Sequence, residues 1–80
     1  MNKRNEEQLS FLKEQLEWSK RQTWLLEEIE MKLRAMKKIA EYALEADLSE
    51  EEANLLNREI TECQQEVKAL QKQLSPDYVH

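Results

Sequence analysis

The sequence predicts an all-α protein: an antiparallel helical hairpin, with a long first helix and a shorter second, that assembles as a dimeric or tetrameric helix bundle or coiled coil. Three observations carry this. The chain has no glycine and a single proline, Pro76 near its end, so the residues that punctuate turns are missing from nearly all of it. Glu, Lys, Leu, Gln and Ala, which favour helices, are abundant. Ala53, Leu56, Ile60, Cys63, Val67, Leu70 and Leu74 recur at alternating steps of three and four, the period of a helix laid against another helix.

Residues 1–80 form one helical-hairpin domain: helix 1 over about 6–46, a turn at 47–49, helix 2 over about 50–74 and a tail at 75–80. Nothing in the first span would stop a helix, which at 1.5 Å per residue reaches about 60 Å. The break is set by Ser49 and Glu52, spaced as a capping box in which hydroxyl and carboxylate each satisfy an orphan backbone N–H. Glu50, Glu51 and Glu52 place negative charge in the first turn of helix 2, where the dipole favours it. Leu48 can staple onto Ala53. The apolar phase also shifts. A seam of Leu26, Ile29, Leu33, Met36, Ala40 and Ala43 extends to Asn54, whereas the next seam begins at Ala53. A turn explains that shift better than one continuous parallel rod. A short turn makes the helices antiparallel neighbours, so helix 2 covers roughly Trp24 to Ala46 and the early part of helix 1 projects beyond it. Ser75-Pro76 ends helix 2, and Tyr78 and Val79 lie in an extended tail.

Helix 1 is apolar on several sides. Phe11, Trp18, Leu25, Ile29, Met36, Ala40 and Ala43 line the main face, widened by Leu26, Leu33 and Leu44. Leu9, Leu12 and Leu16 make a second stripe, and Trp24, Met31, Ala35 and Tyr42 a third, roughly opposite the main face. A helix of this kind is surrounded by other helices. The main face packs on helix 2, with Gln15 and Gln22 at its border reaching water. The remaining stripes need partners, and a second copy is the simplest, because a two-fold dimer requires only a self-complementary patch. Homo-oligomerisation is therefore expected, dimer before tetramer. The candidate interaction residues are Leu9, Phe11, Leu12, Leu16, Trp18, Trp24, Leu25, Met31 and Tyr42.

Other function classes are disfavoured. Cys63 is the only cysteine, so no disulfide closes within the chain; on the seam it acts as a small hydrophobe. Carboxylates abound, but a carboxylate-bridged di-metal bundle adds Glu-x-x-His pairs, and the only histidine, His80, lies past Pro76. No Gly-rich phosphate loop and no nucleophile–base pair is present, so neither metal, cofactor, small-molecule substrate nor catalysis is expected. Lys32, Arg34, Lys37 and Lys38 crowd one stretch, and Lys13, Lys20, Arg34 and Lys38 share one side, a pattern able to meet phosphates. The net charge of −5 opposes nucleic-acid binding. Residues 1–40 carry nine Lys/Arg against seven Glu, and residues 41–80 three against ten Asp/Glu, so the two halves attract one another. No apolar run approaches a membrane span and no export signal opens the chain. A cytoplasmic interaction module, adaptor or regulator is the expected function. A scaffold subunit of a larger assembly, such as a phage or cell-envelope machine, is the alternative.

Overall fold

The computed structural model describes residues 3–74, which form two helices, α1 (Lys3–Glu45) and α2 (Glu50–Gln73). The fold is an all-α helical hairpin. The tail expected at 75–80, with Tyr78, Val79 and His80, lies outside the described residues. α1 begins three residues before the expected start, because no glycine or proline from Lys3 onward breaks the helix. It is 43 residues long, or about 64 Å at helical rise.

Local charge pairs support α1. Arg34 donates to Glu30 at 2.5 Å and Lys37 lies 3.9 Å from Glu41, both one turn apart. Pairs at this spacing each stabilise a helix by about 0.2–0.5 kcal/mol. The last intrahelical bond runs from Ala46 N–H to Tyr42 O at 2.9 Å. No base stands in the last turn to offset the dipole.

Ser49 caps α2 as expected, with an extended backbone (φ −69°, ψ 164°) and its hydroxyl accepting the Glu52 N–H at 3.2 Å. The reciprocal half of the box differs. The Ser49 hydroxyl also donates to Glu52 Oε1 at 3.1 Å, so the carboxylate engages the hydroxyl where a full capping box would have it accept the Ser49 backbone N–H. Leu48 and Ala53 are both half-buried, as a hydrophobic staple requires. At its far end α2 stops on Leu74, whose N–H turns back to Gln71 O at 3.2 Å.

All seven expected seam residues of α2, Ala53 through Leu74, are buried or half-buried, and every other residue of α2 is exposed. The facing seam of α1 differs from expectation. It comprises Gln22, Leu25, Ile29, Lys32, Met36, Ile39, Ala43 and Ala46, again at alternating steps of three and four. Leu26, Leu33 and Ala40, assigned to the seam from the sequence, are instead exposed. They sit one residue further round the helix than the true seam positions. Gln22, expected to reach water, is 6% exposed and belongs to the core, while Gln15 is exposed.

Lys32 reaches across to Glu66 of α2. Matched in antiparallel register at that contact, the seams set Leu25 level with Leu74, Ile29 with Leu70, Lys32 with Val67, Met36 with Cys63, Ile39 with Ile60 and Ala43 with Leu56. Burial is deepest far from the connection, where Gln22, Leu25, Ile29 and Val67 form the core. Ala43, Ala46 and Ala53 line the seam beside the connection, where small residues let two helices approach closely.

The chain is a rod, 70 × 19 × 17 Å, with a radius of gyration of 20.0 Å. A compact domain of this length would have about 12 Å. Its accessible surface is 7053 Å², where a compact monomer of this mass would expose about 5,100 Å².

Two measurements test the hairpin. Ser49→Ala removes the cap and should lower stability by about 1 kcal/mol, read from denaturant midpoints. Spin labels at positions 36 and 63 of one chain should report a separation near one interhelical spacing, about 10 Å; a wide intrachain distance would exclude the antiparallel register.

A candidate helix-docking surface

α2 presents one apolar line and covers one face of α1. It is also shorter than α1 by nineteen residues, so the stretch from Lys3 to about Arg21 projects beyond the described part of α2. Every residue of that stretch is exposed. It carries Leu9, Phe11, Leu12, Leu16 and Trp18, whose exposures run from 43% to 60%. An isolated helix with this much apolar surface is poorly matched to water.

Alongside the covered half of α1, Leu26 and Leu33 are 36% and 50% exposed. They continue, at sevenfold spacing, the line that Leu12 starts in the overhang; Leu44 falls on the adjoining line of Leu9 and Leu16 but is parted from them by Thr23, Glu30 and Lys37. The early stripe seen in the sequence and Leu26 and Leu33, thought to widen the main face, are thus one surface. It borders the seam along the whole helix. Sequence spacing alone could have revealed this, because Leu12, Leu26 and Leu33 are separated by multiples of seven. At Leu33 the surface meets a groove of about 260 Å³, whose walls are Leu33 and Met36 of α1 and Gln64, Val67, Lys68 and Gln71 of α2. A third helix entering there would meet apolar groups on one side and amides on the other. A second concavity, at Arg4, Glu7, Gln8, Phe11 and Leu12, has walls from α1 alone and is an open helix face, not a cavity.

Trp24, Met31 and Tyr42 are 53%, 62% and 54% exposed, on the side of α1 away from the leucine row. Leu25 is the exception among the nine candidate residues. It is fully buried at 0% exposure, because it sits on the seam under the last turn of α2, so it braces the hairpin and is not available to a partner.

The electrostatics of the hairpin centre on Lys32. It occupies a seam position, with its side chain about one-third exposed, and its ammonium donates to Glu66. Glu28, at the local spacing that the sequence favours for a pair, remains only a longer-range contributor. The hydrogen bond to Glu66 holds the Lys32 ammonium above its ordinary pKa, opposed by desolvation and assisted by the charges of Glu66, Cys63 and Glu28. Three of the four clustered bases, Lys32, Arg34 and Lys37, are engaged by glutamates of this chain, which reduces the charge available to phosphates. Only Lys32 faces α2, so the expected attraction between basic and acidic halves rests on one observed cross-helix pair among the described residues.

Among those residues no cluster of three His, Cys, Asp or Glu side chains converges as a metal site would, and no helix is long and apolar enough to cross a membrane. Cys63 is a free, half-buried thiol on the seam.

The raised pKa of Lys32 has a signed consequence. The contribution of its pair is fully present below the unfolded lysine value of 10.5. It is lost as pH rises through the higher folded value. Glu66→Gln should therefore flatten the fall in unfolding midpoint above that pH relative to the unsubstituted chain, and high salt should shrink the difference between the two. Identical alkaline profiles for the two proteins would remove the pair from the account.

No known protein family, curated protein or solved structure matches this chain.

Proposed function

We propose that the protein is a helix–helix interaction module that works as a homo-oligomer, dimer first, and acts in the cytoplasm as an adaptor or regulator of another protein. The observation that carries this reading is the exposure of five large apolar residues, Leu9, Phe11, Leu12, Leu16 and Trp18, on a helix segment that the described part of α2 does not reach. The accessible surface exceeds that of a compact monomer by roughly 2,000 Å². A standard interface removes about 800 Å² from each partner, so the excess is more than twice what one such interface covers.

The adaptor part of the reading is supported by Trp24, Met31 and Tyr42. They remain exposed on the opposite side of α1, where an oligomer closed through the overhang leaves them accessible. Trp and Tyr dominate binding hot spots, and Met adapts to varied contacts. The cytoplasmic assignment is supported by Cys63 being the sole cysteine, a thiol that closes no disulfide within the chain, in keeping with a compartment that maintains thiols. A scaffold subunit is the second reading, favoured by the rod shape; it predicts oligomers that grow with concentration, where the adaptor stops at a defined size.

Leu12→Glu combined with Leu16→Glu places two charges on the overhang without touching the hairpin seam. Light scattering should then report a monomer with helical content largely retained. An oligomer of unchanged mass would refute self-association through the overhang.

A further inference from the structure

We propose that the uncovered stretch of α1 is a docking site for the same stretch of a second copy, running antiparallel, so that two hairpins join through their overhangs into one two-fold rod. This rests on the reading that the overhang drives self-association, and it specifies the orientation and register.

The seam of α1 does not end where α2 ends. Continued backwards from Gln22 at the same alternating steps, it passes through Trp18, Gln15, Phe11 and Gln8, all but Gln22 exposed. In an antiparallel pair these positions interleave so that Phe11 lies level with Gln15 of the second copy and Trp18 with its Gln8. Each ring then faces a slimmer side chain, and no layer holds two rings. Glutamine in such a seam fixes register, as polar seam residues do.

Charge decides between orientations. The residues that directly precede the seam positions Gln8, Gln15 and Gln22 are Glu7, Glu14 and Arg21, and on an antiparallel pair this flank of one helix lies beside the same flank of the other. Glu7 therefore meets Arg21 of the second copy, and Arg21 meets its Glu7. Neither residue joins an ion pair among the described residues. A parallel pair would instead set Glu7 against Leu12 and Arg21 against Leu26, with no charge pairing. On the other flank of the antiparallel pair Leu12 meets its own copy.

The helix dipoles agree. The described part of α1 opens with Lys3 and Arg4, cations at a helix start, where the dipole disfavours them. Docked antiparallel, that end follows head to tail behind the C-terminal end of α2 of the second copy, where cations are favoured. Two contacts oppose the arrangement: Glu14 faces Glu14 across the two-fold axis, and Lys72 already stands in the last turn of α2, where Lys3 and Arg4 of the second copy arrive.

The test uses two charge reversals in the full chain, Glu7→Arg and Arg21→Glu, with dissociation constants from sedimentation equilibrium and helix content from circular dichroism. Each variant alone should self-associate about ten-fold or more weakly, because symmetry counts each lost pair twice and replaces it with a like-charge contact. Mixed, the two should form a 1:1 heterodimer near the original affinity, and the double variant should recover a homodimer. Glu14→Gln should tighten the dimer. Rescue by mixing excludes misfolding as the cause of the single-variant losses. If the unsubstituted chain dimerises but the reversals leave its affinity unchanged, or the double variant stays weak, this register is overturned while self-association stands. If the unsubstituted chain is monomeric at high concentration, both fall.

Discussion

A helix can be covered by a neighbour only along one face, and only as far as that neighbour extends. In this hairpin both limits apply to α1 together. α2 carries a single apolar line, with every residue off that line exposed, and it is nineteen residues shorter than α1. The fully buried interior is correspondingly small: Leu25, Ile29 and Val67, with Gln22 at its edge. A core of this size in a small chain is weak support for a fold that stands alone. The unpaired length and the leucine row beside the seam are two consequences of one mismatch between partners. Any companion that covers the overhang adds to the stability of the hairpin by mass action.

The polar members of the seam shape what kind of contact the hairpin makes. Lys32 lays its stem among apolar neighbours and sends its ammonium to Glu66, so the residue most out of place by hydropathy ties the two helices at one register. Its contribution to net stability is modest, because the pair is partly exposed and screened. Its contribution to alignment is one-sided: sliding α2 by one heptad sets Gln73 opposite the ammonium in one direction and Glu59 in the other. Gln22 is buried where α2 ends, at the boundary between the covered and uncovered parts of α1.

The architecture was readable from spacing, and the exact face of α1 was not. All of α2 followed from its heptad because its off-seam positions are polar or small, apart from Leu55, and the pattern admits one phase. α1 offers two neighbouring phases. One holds Leu26, Leu33 and Ala40; the other holds Leu25, Lys32 and Ile39. Hydropathy favours the first, since it avoids a lysine. The structure takes the second because α2 supplies Glu66 for that lysine, a partner thirty-four residues away that local spacing does not reveal. The phase shift at residue 54 inherited the same error: the true seam runs on to Ala53, and its conflict with α2 appears only at the next step, Leu56 against Asn57. Ser49 located the turn regardless, because a cap depends on its immediate neighbours. The exposed candidates were legible from apolar residues that lie either outside the helix-packing phase, as Leu12, Trp24 and Met31 do, or on it beyond the reach of the described part of α2, as Phe11 and Trp18 do; Leu25 shares that phase but lies under α2 and is buried.

The graded seam bears on how the chain reaches its native state. Beside the connection, Ala46 and Ala53 are brought together by closing a very short loop but bury little. At the far end, Leu25 and Leu74 bury much and require a loop about seven times longer, which costs roughly 1.7 kcal/mol more to close. The inexpensive step thus yields almost nothing, and the rewarding step comes last. The loop-closure cost is therefore recovered mainly where Leu25, Ile29 and Val67 pack, at the end of the seam farthest from the connection.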